Sequence, residues 1–229
     1  PADGSGSPID STSASGVQVP LGYGLSYASG PTEFETLSEA PGIKAPSGTF
    51  DGIIMSRGAA KGPFGFFLGD SSNWKTPADS FLGNSLGGTL KSQGIDYKAQ
   101  EDARKISWRG NARGLASLQT QREINFSVLG EIDSLNMELT YRLDKEPVSP
   151  VLWGMSCGDY CGVKTVDITE TLKNNGEGKW QKLSVPLRCF VEAGIDPNSI
   201  TAPMLLETDG SLALSITKLA VVTGAGKCP

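Results

Sequence analysis

Between Asn136 and Leu143 the chain alternates: Met137, Leu139, Tyr141 and Leu143 are apolar, while Glu138, Thr140 and Arg142 between them are polar. A period of two puts the first set on one face of a β-strand and the second set on the other, an arrangement no helix reproduces. Such a strand needs hydrogen-bonded neighbours at its edges and an apolar layer against its inner face. This one stretch therefore demands a layered β architecture.

Further short runs repeat the demand. Residues 51–57, 64–70, 95–100, 104–108, 114–119, 151–156, 163–167, 182–185, 202–206 and 212–222 read as strands, mostly bounded by Gly, Pro, Asn or Asp. Two helical turns are expected, at 169–172, where the Thr169 hydroxyl can cap free amides, and at 189–193, before Gly194. About ten strands with hardly any helix predict an all-β, antiparallel sandwich. The 29 glycines and 14 prolines among 229 residues suit its many turns, and the chain is long enough to bury a sizeable core.

The formal net charge of −5, with no concentrated basic stretch, argues against nucleic acid as a partner, because neutralising phosphates takes clustered Lys and Arg. No apolar run approaches the ~18 residues of a membrane-spanning helix. The absence of histidine excludes Ser-His-Asp and Cys-His catalysis. It also denies zinc a mixed ligand set, and no Cys-x-x-Cys pair occurs. Oxygen ligands for a structural Ca²⁺ are available around Asp51 or Asp167, although nothing forms a recognisable calcium loop.

Four cysteines, Cys157, Cys161, Cys189 and Cys228, allow three pairings. The short Gly158-Asp159-Tyr160 interval favours Cys157 with Cys161, leaving Cys189 to staple the C-terminal residues through Cys228. That pattern implies an oxidising compartment, the periplasm or the outside of the cell. Four reduced, buried cysteines are the alternative.

The N-terminal part has a different character. Residues 1–18 are nearly all small or polar, and 28–47 carry prolines at 31, 41 and 46, which favours an extended, stiff connector. Between them, Val19-Pro20-Leu21-Gly22-Tyr23-Gly24-Leu25-Ser26-Tyr27 resembles the closing segment of the second catalytic domain in glycoside hydrolase family 3, with Leu21 where that pattern has an aromatic residue. Downstream, Trp180-Gln181-Lys182-Leu183-Ser184-Val185-Pro186-Leu187-Arg188-Cys189-Phe190 and the apolar alternation of 212–219 resemble the C-terminal half of galactose-binding-like jelly rolls. With Gln100-Glu101-Asp102-Ala103-Arg104 and Trp108-x-Gly110 upstream, the stretch 48–223 is similar to the extra C-terminal domain of some bacterial family 3 exo-β-glucanases.

The resemblance implies three parts: 1–27 as the end of a preceding catalytic α/β domain, 28–47 as linker, and 48–229 as a galactose-binding-like β-sandwich. The implied parent is a β-glucosidase or exo-1,3/1,4-β-glucanase that hydrolyses terminal β-D-glucosyl residues. Of its two working carboxylates, the nucleophile would lie far upstream in the first domain and the acid/base residue would also precede the motif at 22–27, so no catalytic residue and no cofactor is expected here. The adjacent Glu101-Asp102 pair does not supply them, since neighbours on a strand point to opposite faces; pairing of one with Arg104, or capping of a turn, is expected instead.

Sugar recognition sets an aromatic ring against a pyranose face and surrounds it with polar side chains. Among the tryptophans, Trp74 reads as a loop tip and Trp153 as core. Trp180 is out of phase with Leu183 and Val185 and hence at the surface, while Trp108 shares the parity of Ile106 but precedes a turn that could reorient it. The expected carbohydrate set is Trp108, Asn111 and Arg113 at one rim, with Glu138 and Arg142 on the polar face of the regular strand. Expected partners are the upstream catalytic domains and a β-glucan or cello-oligosaccharide. The alternatives are a purely structural or dimerisation domain of the same enzyme, and an unrelated extracellular lectin-like domain.

Overall fold

The computed structural model describes residues 50–229 and, before them, the backbone of one short antiparallel pair, β1 (Ile9–Ser11) with β2 (Ala14–Ser15). The chain divides into two units, Pro1–Thr49 and Phe50–Pro229. The Gly22–Tyr27 motif and the connector at 28–47 lie outside the described residues.

In the second unit every strand pairing is antiparallel. One sheet has six strands, in spatial order β13 (Val163–Asp167), β12 (Leu152–Ser156), β15 (Ala202–Thr208), β10 (Gly114–Thr120), β5 (Phe64–Asp70) and β6 (Asn73–Pro77). The other has eight. Six run in the order β14 (Trp180–Pro186), β11 (Leu135–Lys145), β16 (Ser211–Thr223), β9 (Ala103–Arg109), β8 (Leu90–Ile95) and β7 (Gly83–Asn84). The remaining two are β3 (Ile53–Ser56), paired with β16, and β4 (Ala59–Ala60), paired with β3. The expected all-β sandwich of two antiparallel sheets is the observed fold.

The alternation at 136–143 lands as the sequence dictates. Met137, Leu139, Tyr141 and Leu143 are fully buried, in one apolar cluster with Phe66, Leu68, Leu118, Trp153, Met155, Met204 and Leu206 from the other sheet. Burying each large apolar side chain stabilises by roughly 1.5–3 kcal/mol. Trp153 satisfies its indole N–H on the carbonyl of Pro203 at 3.1 Å. Two helices, α1 (Thr169–Asn175) and α2 (Arg188–Val191), bury Leu172 and Phe190 in the same cluster. Thr169 does not cap its own helix; its hydroxyl accepts the Val151 N–H and donates to Asp167.

Both expected disulfides are formed, Cys157 with Cys161 and Cys189 with Cys228. Such bonds persist in an oxidising environment. No helix among the described residues is long and apolar enough to cross a membrane.

Two expectations are corrected. Residues 95–100 are not a strand: β8 ends at Ile95, and Asp102 accepts the amides of Tyr97, Lys98 and Ala99, winding the segment into a loop. Trp74 is not a loop tip but lies on the edge strand β6, which the sequence reading missed because Asn-Trp-Lys-Thr-Pro has no alternation to show.

Candidate binding face

The sandwich has two outer faces, and they differ in chemistry. On the six-stranded sheet the registers align Asp167, Leu152, Glu207, Leu115 and Gly69 in one row, and Thr165, Gly154, Leu205, Ser117 and Phe67 in the next. A third contains Gln119 and Gly65. The outer face of a sheet in water is ordinarily polar. Here Leu115, Leu152 and Phe67 stand on it only half covered, beside Trp74, which is 43% exposed.

Glycines shape this surface. A Cβ at Gly69 would collide with the backbone of Trp74, so glycine is what lets β6 close onto β5 and hold that indole at the sheet edge. Along β10, four residues separate the Leu115 row from the Gln119 row, about 13 Å at the usual rise per residue. Each end carries a cleft.

The first cleft, about 610 Å³, is lined by Gly65, Phe67, Lys75, Asp79, Gln119 and Arg122. The Lys75 ammonium lies 5.2 Å from the Phe67 ring centre, and Asp79 accepts the Phe66 amide at 3.2 Å. The second, about 170 Å³, is lined by Arg113, Pro150, Leu152, Glu207 and Asp209. There Arg113 donates to Glu207 while its guanidinium lies 5.5 Å from the Trp74 ring centre. Rings, guanidinium and carboxylates on one rigid sheet can stack on a flat, C–H-rich ligand face and satisfy its hydroxyls.

The opposite face belongs to the eight-stranded sheet. Trp180, half-buried, lies 4.5 Å from the Tyr97 ring and 5.3 Å from the Arg142 guanidinium. Arg142 donates to Asp144 at 2.6 Å, and Asp144 also accepts the Ser215 hydroxyl. Glu138 pairs with Lys182 at 3.3 Å. This face is a self-satisfied polar network with the 96–101 loop stapled to it through Tyr97.

The five residues singled out for sugar contact therefore do not converge. Trp108 is 3% exposed and donates its indole N–H to Gly114 at 3.0 Å, so it offers no ring face; its parity with Ile106 prevails over the turn that follows. Asn111 is exposed in that turn. Arg113 joins the six-stranded face, while Glu138 and Arg142 lie on the other sheet. Of the residues that line the two clefts, sequence reasoning singled out Arg113 but not Phe67, Lys75, Asp79, Gln119, Arg122 or Glu207. The outward phase of Phe67 in a strand already recognised was the available signal.

Asp51 and Asp167 accept the amides of Ile53 and Thr169, respectively. Among the described residues no three His, Cys, Asp or Glu side chains converge as a metal site. Two carboxylates stand out electrostatically. Burial alone would raise Asp102, but the amides of Tyr97, Lys98 and Ala99 outweigh it and hold the carboxyl below its usual range. Asp70 is likewise lowered against its own burial by the Ser85 hydroxyl and the amides of Ser72, Thr89 and Gly87.

The fold and its two faces define a galactose-binding-like β-sandwich. A sequence profile described as a galactose-binding domain-like family, Exop_C, matches residues 62–221. The chain belongs to that family. A comparison with curated proteins finds no match.

Among solved structures, the chain is similar to the extra C-terminal domain of the exo-1,3/1,4-β-glucanase from a Pseudoalteromonas species, at 20% identity and a TM-score of 0.62, covering 78% of this chain and 95% of that one. Against the whole exo-1,3/1,4-β-glucanase of that organism the figures are 21% and 0.63, covering 83% of this chain and 23% of the enzyme. The family 30 carbohydrate-binding module of a Clostridium thermocellum cellulosomal cellulase aligns at 15% identity and a TM-score of 0.52, covering 76% of this chain and 97% of that one.

Proposed function

We propose that this chain is a non-catalytic carbohydrate-binding module of a β-glucan-cleaving enzyme, and that it holds glucan on the outer face of the six-stranded sheet. The observation that carries the reading is the line of exposed Trp74 and half-covered Phe67 between two clefts walled by Arg113, Glu207, Lys75 and Asp79. The two clefts stand at rows about 13 Å apart along β10, farther than one sugar ring reaches, which suits an extended chain. Binding acts by raising substrate concentration beside a tethered active site.

The similarity to the extra domain of an exo-1,3/1,4-β-glucanase supports family 3 catalytic domains as the partner in the same polypeptide, with terminal β-D-glucosyl residues as their substrate. Two disulfides support a periplasmic or secreted location.

A second reading is favoured by Leu115 and Leu152, apolar and half-covered on an outer face. They also suit a buttress against a neighbouring domain, without sugar. Affinity electrophoresis of the 229-residue chain through gels containing mixed-linkage β-glucan, laminarin or hydroxyethylcellulose separates the two. Retardation in at least one gel, relieved by Trp74→Ala, is the expected result. Free migration in all three overturns the sugar reading and leaves the buttress.

A further inference from the structure

Arg104 is fully buried between the two sheets, and among the described residues no carboxylate forms a salt bridge with it. Charges are ordinarily buried only with an opposite charge, because desolvating one alone is costly. This guanidinium is instead solvated by backbone. It donates to the carbonyls of Gly58 at 3.1 Å, Ala78 at 2.7 Å, Asp79 at 3.2 Å and Ser80 at 3.2 Å, and to the Ser92 hydroxyl at 3.1 Å.

Two rings flank it, Phe66 at 4.2 Å and Phe81 at 5.0 Å from its centre. Ser92 donates its own hydroxyl hydrogen to the Phe81 carbonyl at 2.7 Å. Burial draws the Arg104 pKa down to about 10, against the field of Asp79, so it stays a cation at neutral pH.

Three of the five acceptors are consecutive carbonyls in the crossing from β6 to β7, the segment that also carries Asp79. The Asp79 side chain lines the larger cleft while its carbonyl is held from the interior. We propose that Arg104 is the positioning residue of the glucan face: from inside the sandwich it fixes the 78–81 crossing and so sets the Asp79 carboxylate to accept sugar hydroxyls beside Phe67. This rests on the glucan reading of the six-stranded face.

A double-mutant cycle on the full chain tests it. Affinity for mixed-linkage β-glucan is measured for wild type, Asp79→Asn, Arg104→Lys and the double variant, with Tm measured alongside. Asp79→Asn is expected to weaken binding about tenfold, the value of one hydrogen bond to a charged group. Arg104→Lys, which keeps the charge but loses the planar fork, is expected to do nearly the same. In the Asp79→Asn background it should weaken binding by less than about twofold.

Ser92→Ala removes only one of the five acceptors and serves if Arg104→Lys does not fold; it should weaken binding severalfold, again with no further loss on top of Asp79→Asn. Leu139→Val, a buried position on β11 two strands from β9 in the same sheet, is the control: a lower Tm with unchanged affinity. A lowered Tm with wild-type affinity in Arg104→Lys or Ser92→Ala, or losses that multiply with Asp79→Asn, overturns the positioning role alone. A wild-type chain that binds no glucan overturns the glucan reading and this role with it.

Discussion

Arg113 and Trp74 meet on the outer face of the six-stranded sheet, the guanidinium 5.5 Å from the indole centre, although the chain between them passes through the other sheet. Arg113 leaves β9 on one sheet for β10 on the other, and Trp74 sits at the far edge of the latter on β6. The cation holds the ring from one side, so under the proposed glucan reading it would meet a sugar at little conformational cost.

Replacing that ring should be the most damaging single change to binding. Trp74→Ala is expected to cost ~2 kcal/mol of affinity, roughly thirtyfold. Because the residue is 43% exposed, stability should hardly move. Isothermal titration with a β-glucan oligosaccharide and a thermal melt check the two halves.

Arg113→Ala removes an ion pair to Glu207 whose arginine side chain is 64% exposed. Exposed pairs contribute at most ~1 kcal/mol to stability, so Tm should stay within a few degrees of wild type. Glucan affinity should nonetheless fall, since guanidinium and carboxylate both line the smaller cleft. Unchanged affinity in both Arg113→Ala and Glu207→Gln would remove that cleft from the site.

Trp108 should behave oppositely. Trp108→Ala empties a core position and leaves the Gly114 carbonyl without its indole partner, at a cost of about 3–5 kcal/mol. Whatever folded fraction remains at low temperature should bind glucan as wild type does. Parallel denaturation and gel-retardation measurements decide this.

Acid should loosen the fold through Asp70 and Asp102. Both have folded pKa values below the unfolded value near ~3.9, so their stabilising contribution is complete above that value and is lost as pH falls through the lowered folded ones. Tm should change little between pH 7 and about 5 on their account and drop below about 4. Asp102→Asn should lower Tm at pH 7, by weakening its hold on the 97–99 amides, and flatten the acid limb.

The two disulfides should contribute unequally. Cys189–Cys228 closes 39 residues, worth about 4 kcal/mol in the chain-entropy account, whereas Cys157–Cys161, closing 4, is worth about 2. Paired Cys→Ser variants followed by denaturant unfolding measure the difference.

Much of this was written in local sequence. Alternation at 136–143 is a consequence of strand geometry, so it fixed a half-buried β11 and the burial of its apolar set before any neighbour was known. The same parity placed Trp153 inside and Trp180 at the surface, and short spacing made Cys157–Cys161 the economical pairing. Other features depend on which strands become neighbours. Asp102 winding 97–99 into a loop, Gly69 admitting the backbone of Trp74, and Arg113 turning toward Glu207 rather than toward Glu138 or Arg142 are contacts that no local period encodes. Binding faces are built across strands, whereas sequence periodicity reports only along them; the tertiary structure alone therefore decided which side of the sandwich gathers Trp74, Phe67, Asp79 and Glu207.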